Sequence, residues 1–185
     1  ATFDQVTVRA ATVTPPPPPP APASEVVLYA SDATRLVGAW TLQSDAAAAG
    51  GQRVWLPGAG RAKVITAVAA PADYIEFTFN AEAGRAYRLW IRGRALNDDW
   101  SNDSVHVQFS GSLNAEGAAA YRIGSTSSAE YNLEACRGCG LAGWGWEDNG
   151  WGPNVLGPEI YFAVTGLQTI RIQNREDGLS IDQIV

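Results

Sequence analysis

The most unusual chemistry in this 185-residue chain is concentrated in residues 140–153, Gly-Leu-Ala-Gly-Trp-Gly-Trp-Glu-Asp-Asn-Gly-Trp-Gly-Pro. Three indoles (Trp144, Trp146, Trp151) alternate with glycines and with the polar side chains of Glu147, Asp148 and Asn149. Such a loop suits a sugar ring, whose apolar face stacks on an indole while its hydroxyls bond to carboxylate and amide. Two other readings stand beside it: a satellite core under a long loop, or a contact between subunits. A second loop, Asn97-Asp98-Asp99-Trp100-Ser101-Asn102, sets another indole among acids, as a plain Asx turn also would.

Other chemistries are excluded or fit poorly. Cys136 and Cys139 form one CxxC unit in a chain with a single histidine, too few ligands for a four-coordinate zinc site. A redox pair calls for a βαβ context that is missing here, so the expectation is a local disulfide closing a small loop, with free thiols as the alternative. There is no G-x-S-x-G elbow and no phosphate-cradling loop. The adjacent acids Asp98/Asp99 and Glu147/Asp148 resemble turn residues more than an opposed glycosidase pair. His106 alternates with Val105 and Val107 and reads as a surface residue, and no enzymatic activity is expected.

Composition supports the same direction. A net charge of −6, with Lys63 the single lysine, disfavours a nucleic-acid partner. No apolar run reaches the length of a membrane span. Hydrophobic residues make up 46%, enough for a core and against wholesale disorder. Methionine is absent, even at position 1, so the expectation is a processed or excised piece of a secreted protein, extracellular or on a cell surface.

The elements that must position these loops read as strands. Strand-like runs fall at 26–30, 63–68, 74–80, 86–93, 105–110, 160–165, 168–173 and 180–185, with glycine turns between them. The alanines at 46–49 offer one helical turn at most. The expected fold class is all-β, a jelly-roll β-sandwich over 23–185. Ahead of it, residues 15–22 are prolines broken only by Ala21, a polyproline II rod of about 25 Å. Residues 1–14 form a strand-like arm with Phe3, Gln5, Val6 and Val8 as the pairing residues. Thr2-Phe3-Asp4-Gln5-Val6 echoes Ser180-Ile181-Asp182-Gln183-Ile184. The arm therefore reads as the last strand of another such module. Either it ends a preceding repeat, or it adds a strand to a neighbouring copy. Both give a fibre or array joined head to tail. Thr12 and Thr14 beside the rod, and Asn102 in the sequon Asn102-Asp103-Ser104, are candidate glycosylation positions.

Three blocks carry a family resemblance: Tyr87-Arg88-Leu89-Trp90-Ile91-Arg92-Gly93, Asn102-Asp103-Ser104-Val105-His106-Val107-Gln108, and Glu176-Asp177-Gly178-Leu179-Ser180-Ile181-Asp182-Gln183-Ile184. Together they resemble carbohydrate-binding modules of family 6, family 35 and the malectin-like jelly rolls. The resemblance implies a non-catalytic sandwich that binds polysaccharide through loops at one edge, so that Trp100 and Asn102 would join Trp144, Trp146, Asp148, Asn149 and Trp151 around a glycan. It also implies a structural calcium near the first and last strands, with Asp32 and Asp182 as ligands. The family's acidic opening element is here Leu28-Tyr29-Ala30-Ser31-Asp32. Two roles are thus expected, a self-assembling extracellular fibre unit first and a carbohydrate-binding module of a larger secreted enzyme or adhesin second.

Overall fold

The computed structural model describes residues 25–133, 142–152 and 154–185. The arm (Phe3, Gln5, Val6, Val8), the proline rod, Thr12, Thr14, Cys136 and Cys139 lie outside the described residues.

The body is an all-β sandwich of antiparallel strands. One sheet runs β10-β6-β13-β4-β3, with β1 also pairing to β13. Its strands are β1 (Leu28–Tyr29), β3 (Thr41–Ser44), β4 (Gln52–Trp55), β6 (Trp90–Arg94), β10 (Gly145–Asp148) and β13 (Ser180–Ile184). The other runs β2-β5-β12-β7-β9, from β2 (Arg35–Val37), β5 (Tyr74–Ala81), β7 (Ser104–Phe109), β9 (Ala129–Asn132) and β12 (Gly166–Asn174). A short ribbon of β8 (Ser112–Leu113) and β11 (Tyr161–Phe162) lies beside them.

Alternation decides which face of each strand is buried. Val54, Ile91, Ile181 and Ile184 from the first sheet meet Ile75, Phe77, Val105, Val107, Ile170 and Ile172 from the second, all within one core. Phe162 closes one end, with the rings of Phe79 and Tyr87 at 5.6 Å and Phe109 at 6.0 Å, all edge-on. Edge-to-face contact is the favoured aromatic geometry.

Several expected strands differ. Residues 26–30 yield only β1, and then a 3-10 turn over Ala30–Asp32. The run 86–93 starts its ladder only at Trp90, and 160–165 is a strand only at Tyr161–Phe162. The alanine run ends in a 3-10 turn at Ala49–Gly51. Residues 63–68 form no strand. Their β-branched residues lie in an extended strap that crosses the outer face of β7 and β12. Val64 N–H donates to the Arg175 carbonyl at 2.7 Å, and Val68 N–H to Gln173 Oε1 at 2.8 Å. The other bonds of Val64 and Val68 go to the side chains of His106 and Gln173 and not to a neighbouring backbone, so no ladder forms.

The strap overturns the surface reading of His106. The imidazole is fully buried. Its Nε2 donates to the Val64 carbonyl at 2.8 Å and its Nδ1 accepts from the Ser128 hydroxyl at 3.1 Å. Burial pushes its pKa below the ordinary histidine value, which fits a neutral ring. Gln108 and Gln173, on the same outer face, are buried as well and bond to each other at 3.0 Å. The polar side of an alternating strand is therefore roofed here, and its polar groups are satisfied by the roof.

Candidate functional site

Three strands bring Trp55, Ser180 and Arg94 into one row on the outer face of the first sheet, since Ser180 is in register with both. Arg53, two residues before Trp55 on β4, shares that face. Its Nη1 donates to Ser180 Oγ at 2.6 Å and its guanidinium stacks on the Trp55 ring at 4.9 Å. Val54 and Leu56 point inward and are fully buried. The alternation Arg-Val-Trp-Leu thus turns the indole out.

Beyond β6 the chain makes two 3-10 turns, Leu96–Asp98 and Trp100–Asn102. Asn97 and Asp98 adopt φ of 60° and 49°, a left-handed conformation that Asn and Asp tolerate better than most residues. The first turn forms one wall of an open cleft of about 340 Å³, lined by Trp55, Arg53, Arg94, Leu96, Asn97 and Asp98, with Gly143 and Gly178. Gly178 is required at the floor. Its φ is +95°, and a Cβ there would come within 2.9 Å of the Asn102 Cβ and 3.0 Å of the Leu96 Cβ.

The tryptophan loop is pinned to this cleft. Gly143 N–H donates to Asp98 Oδ1 at 2.7 Å. The Trp144 ring covers the guanidinium groups of Arg94 at 4.7 Å and Arg92 at 5.3 Å, a cation–π arrangement on both. Arg94 also bonds to Asp45 Oδ2 at 2.8 Å. The Ala47 backbone N–H, and then Arg94, hold the Asp45 carboxyl below the usual range against the effect of burial. Cationic donors, an indole and amide or carboxylate acceptors thus face one volume, within the usual size of a small-ligand site.

The expected sugar-binding residues do not come together in one place. Trp144 borders the cleft. Asn102 lies under its floor and donates from Nδ2 to the Leu96 carbonyl at 3.4 Å. Trp100 is exposed on the adjoining turn, and Trp146 is exposed opposite Arg92 on β10. Asn149 and Trp151 lie beyond the other end of β10. There, with Tyr121, Glu130 and Asn132, they line a second cleft of about 260 Å³. Asp148 is buried and holds a turn instead: Oδ1 accepts from Gly150 N–H and Oδ2 from Gly157 N–H, both at 2.8 Å. Its neighbour Glu147 has its pKa raised by burial and by the Asp148 charge.

Asp32 and Asp182 do not form a shared ligand set. Asp32 Oδ2 accepts from Tyr29 N–H at 2.8 Å, within its own turn. Asp182 Oδ2 accepts from Ala49 N–H at 2.6 Å and contacts Arg92. Among the described residues no three His, Cys, Asp or Glu side chains gather as a metal centre would need.

Trp55, Arg53, Arg94 and Ser180 were not anticipated from the sequence. The available signal was the outward parity of Trp55 just before Pro57-Gly58.

No family model and no curated protein matches the chain. The chain is similar in structure to carbohydrate-binding modules. A family 35 module from Clostridium thermocellum is 20% identical, with 86% of this chain and 96% of that one covered and a TM-score of 0.48. A family 6 module of Cellvibrio mixtus lichenase 5A, solved in complex with cellotriose, is 12% identical over 86% and 93%, with a TM-score of 0.49. A family 35-bearing β-(1,4)-mannanase of Podospora anserina is 17% identical over 86% of this chain and 26% of its own, also with a TM-score of 0.49. No helix among the described residues is long and apolar enough to cross a membrane.

Proposed function

We propose that this protein is a secreted carbohydrate-binding module that holds a polysaccharide, without turning it over, in the cleft between Trp55, Arg94 and the turn Leu96–Asp98. The observation that carries this reading is the placement of the Trp55 indole beside Arg53, Arg94, Asn97 and Asp98 in one open volume. An indole offers a sugar its apolar face, and the guanidinium and amide groups take its hydroxyls. The three sequence blocks that resemble family 6 and family 35 modules point the same way.

The test is affinity gel electrophoresis against soluble cellulose derivatives, xylan, galactomannan and polygalacturonate. At least one polysaccharide should retard the wild-type protein, and Trp55→Ala should weaken that retardation tenfold or more, since burying a large apolar side chain is worth about 1.5–3 kcal/mol and about 1.4 kcal/mol is tenfold. Unchanged retardation of Trp55→Ala would remove the sugar from this cleft.

The fibre reading remains as a second proposal, because β13 is an interior strand paired on both sides, by β6 and by β4. A segment at 2–6 that repeats the β13 pattern has the character of an interior strand of another copy. Electron microscopy of the full chain should then show filaments with a regular axial repeat. Dispersed particles would leave the binding module alone.

A further inference from the structure

Asp182 is the carboxylate against which the family resemblance would set a structural calcium, and the residues around it do not fit that ion. The side chain is fully buried at the bulge where β13 shifts register against β6. Of its two oxygens, Oδ2 is occupied by Ala49 N–H and by the Arg92 guanidinium, and Oδ1, buried with no hydrogen-bond partner, is the single oxygen of this side chain left to face an ion. The Arg92 guanidinium in turn stacks on the Trp144 ring at 5.3 Å. A calcium ion needs six to eight oxygens. The opening element supplies Tyr29 and Ser31 where acids would be expected, and a Cβ added at Gly50 in the facing turn would lie 3.1 Å from the Tyr29 ring. Asp32 is turned to its own backbone. Asp45, whose charge acts on Asp182, is committed to Arg94 at 2.8 Å and to Arg53 at 3.5 Å.

We infer that the Arg92 guanidinium is the built-in cation of this position, and that the module folds and holds its cleft without any divalent metal. A buried carboxylate has to be paired. Here the pairing charge is covalently attached on β6, next in the sheet to β13. Because the same guanidinium lies under Trp144, the loop beside the cleft and the buried acid share one partner.

The test uses the full chain. Thermal melting in millimolar EDTA and in millimolar calcium chloride should give the same midpoint, and terbium, as a luminescent calcium probe, should give no Asp182-dependent signal. Arg92→Gln should lower the midpoint by on the order of 10 °C, the size expected for breaking a buried pair in a domain of this length. The double variant Arg92→Gln/Asp182→Asn should regain part of that loss. A wild-type midpoint that falls in EDTA, an Asp182-dependent terbium signal, or an Arg92→Gln variant as stable as the wild type would each overturn the inference. If Arg92→Gln does not fold, the wild-type melts and the terbium titration decide. None of these readouts depends on a polysaccharide, so the inference can fail while the binding reading stands, or the reverse.

Discussion

The outer faces of the two sheets both carry polar side chains and use them in opposite ways. On the second sheet, Ser104, His106, Gln108 and Gln173 are buried beneath the strap and the 125–128 loop. His106, Gln108 and Gln173 bond to the segments that cover them, Gln108 and Gln173 also to each other, and Ser104 bonds to Glu176. On the first sheet, Arg53, Trp55, Arg92 and Arg94 are only partly covered, by Trp144 and by one another, and at one end they open into the cleft. A polar outer face can therefore be an internal interface or a recognition surface, and what decides is whether a neighbouring segment brings partners for it. The strap brings backbone carbonyls and Lys63; the loop at 142–144 brings one indole and leaves the rest open.

The sharpest way to break this comparison is to unseat the covering. Glu176 accepts from Lys63 at 2.6 Å and from the Ser104 hydroxyl. Glu176→Ala should cost about 3 kcal/mol of unfolding free energy in urea titrations, because its partners are left uncompensated. The folded fraction should still be retarded by polysaccharide. Loss of both properties together would mean that the two faces are not independent.

A smaller effect concerns pH. Burial alone would raise the Glu176 pKa, but Lys63 and then Ser104 outweigh it and hold the carboxyl below the ordinary value of 4.5. A depressed acid contributes stability above its unfolded pKa and loses it as pH falls through its folded one. The stability gap between the wild type and Glu176→Gln should accordingly narrow on going below pH 4.5. A gap that stays constant with pH would assign the role to hydrogen bonding and not to charge.

The smallest effect is expected at the far end of β10. Trp151 is 62% exposed, and Trp151→Ala should change stability by no more than about 0.5 kcal/mol. Retardation in the gels should also stay as in the wild type, since the Trp55 cleft lies at the opposite end of that strand. A clear loss of retardation would move the sugar to the cleft of Glu130 and Asn132.

The sequence made the β class legible because alternation in 74–80 and 105–110 is regular and survives folding as β5 and β7. It also separated the tryptophan loop from the rest. It could not show the strap, because Val64 and Ile65 carry strand propensity whether or not a partner strand exists, and only tertiary placement supplies the partner. His106 was misread for the same reason: period-two patterning says which residues share a face, not whether something else covers that face. The cleft was half legible. Asp98 and Trp144 lie in conspicuous loops, whereas Trp55 and Ser180 become neighbours only through the register of β4 and β13.

The segment 176–180 links several parts of the structure within five residues. Glu176 ties down the strap, Asp177 accepts from Ala59 and Arg61 N–H, Gly178 forms the cleft floor, and Ser180 bonds to Arg53. Anyone redesigning the specificity of this scaffold by randomised libraries should leave that stretch untouched and diversify 96–98 instead. There, side chains face the cleft and carry none of the strap's anchoring.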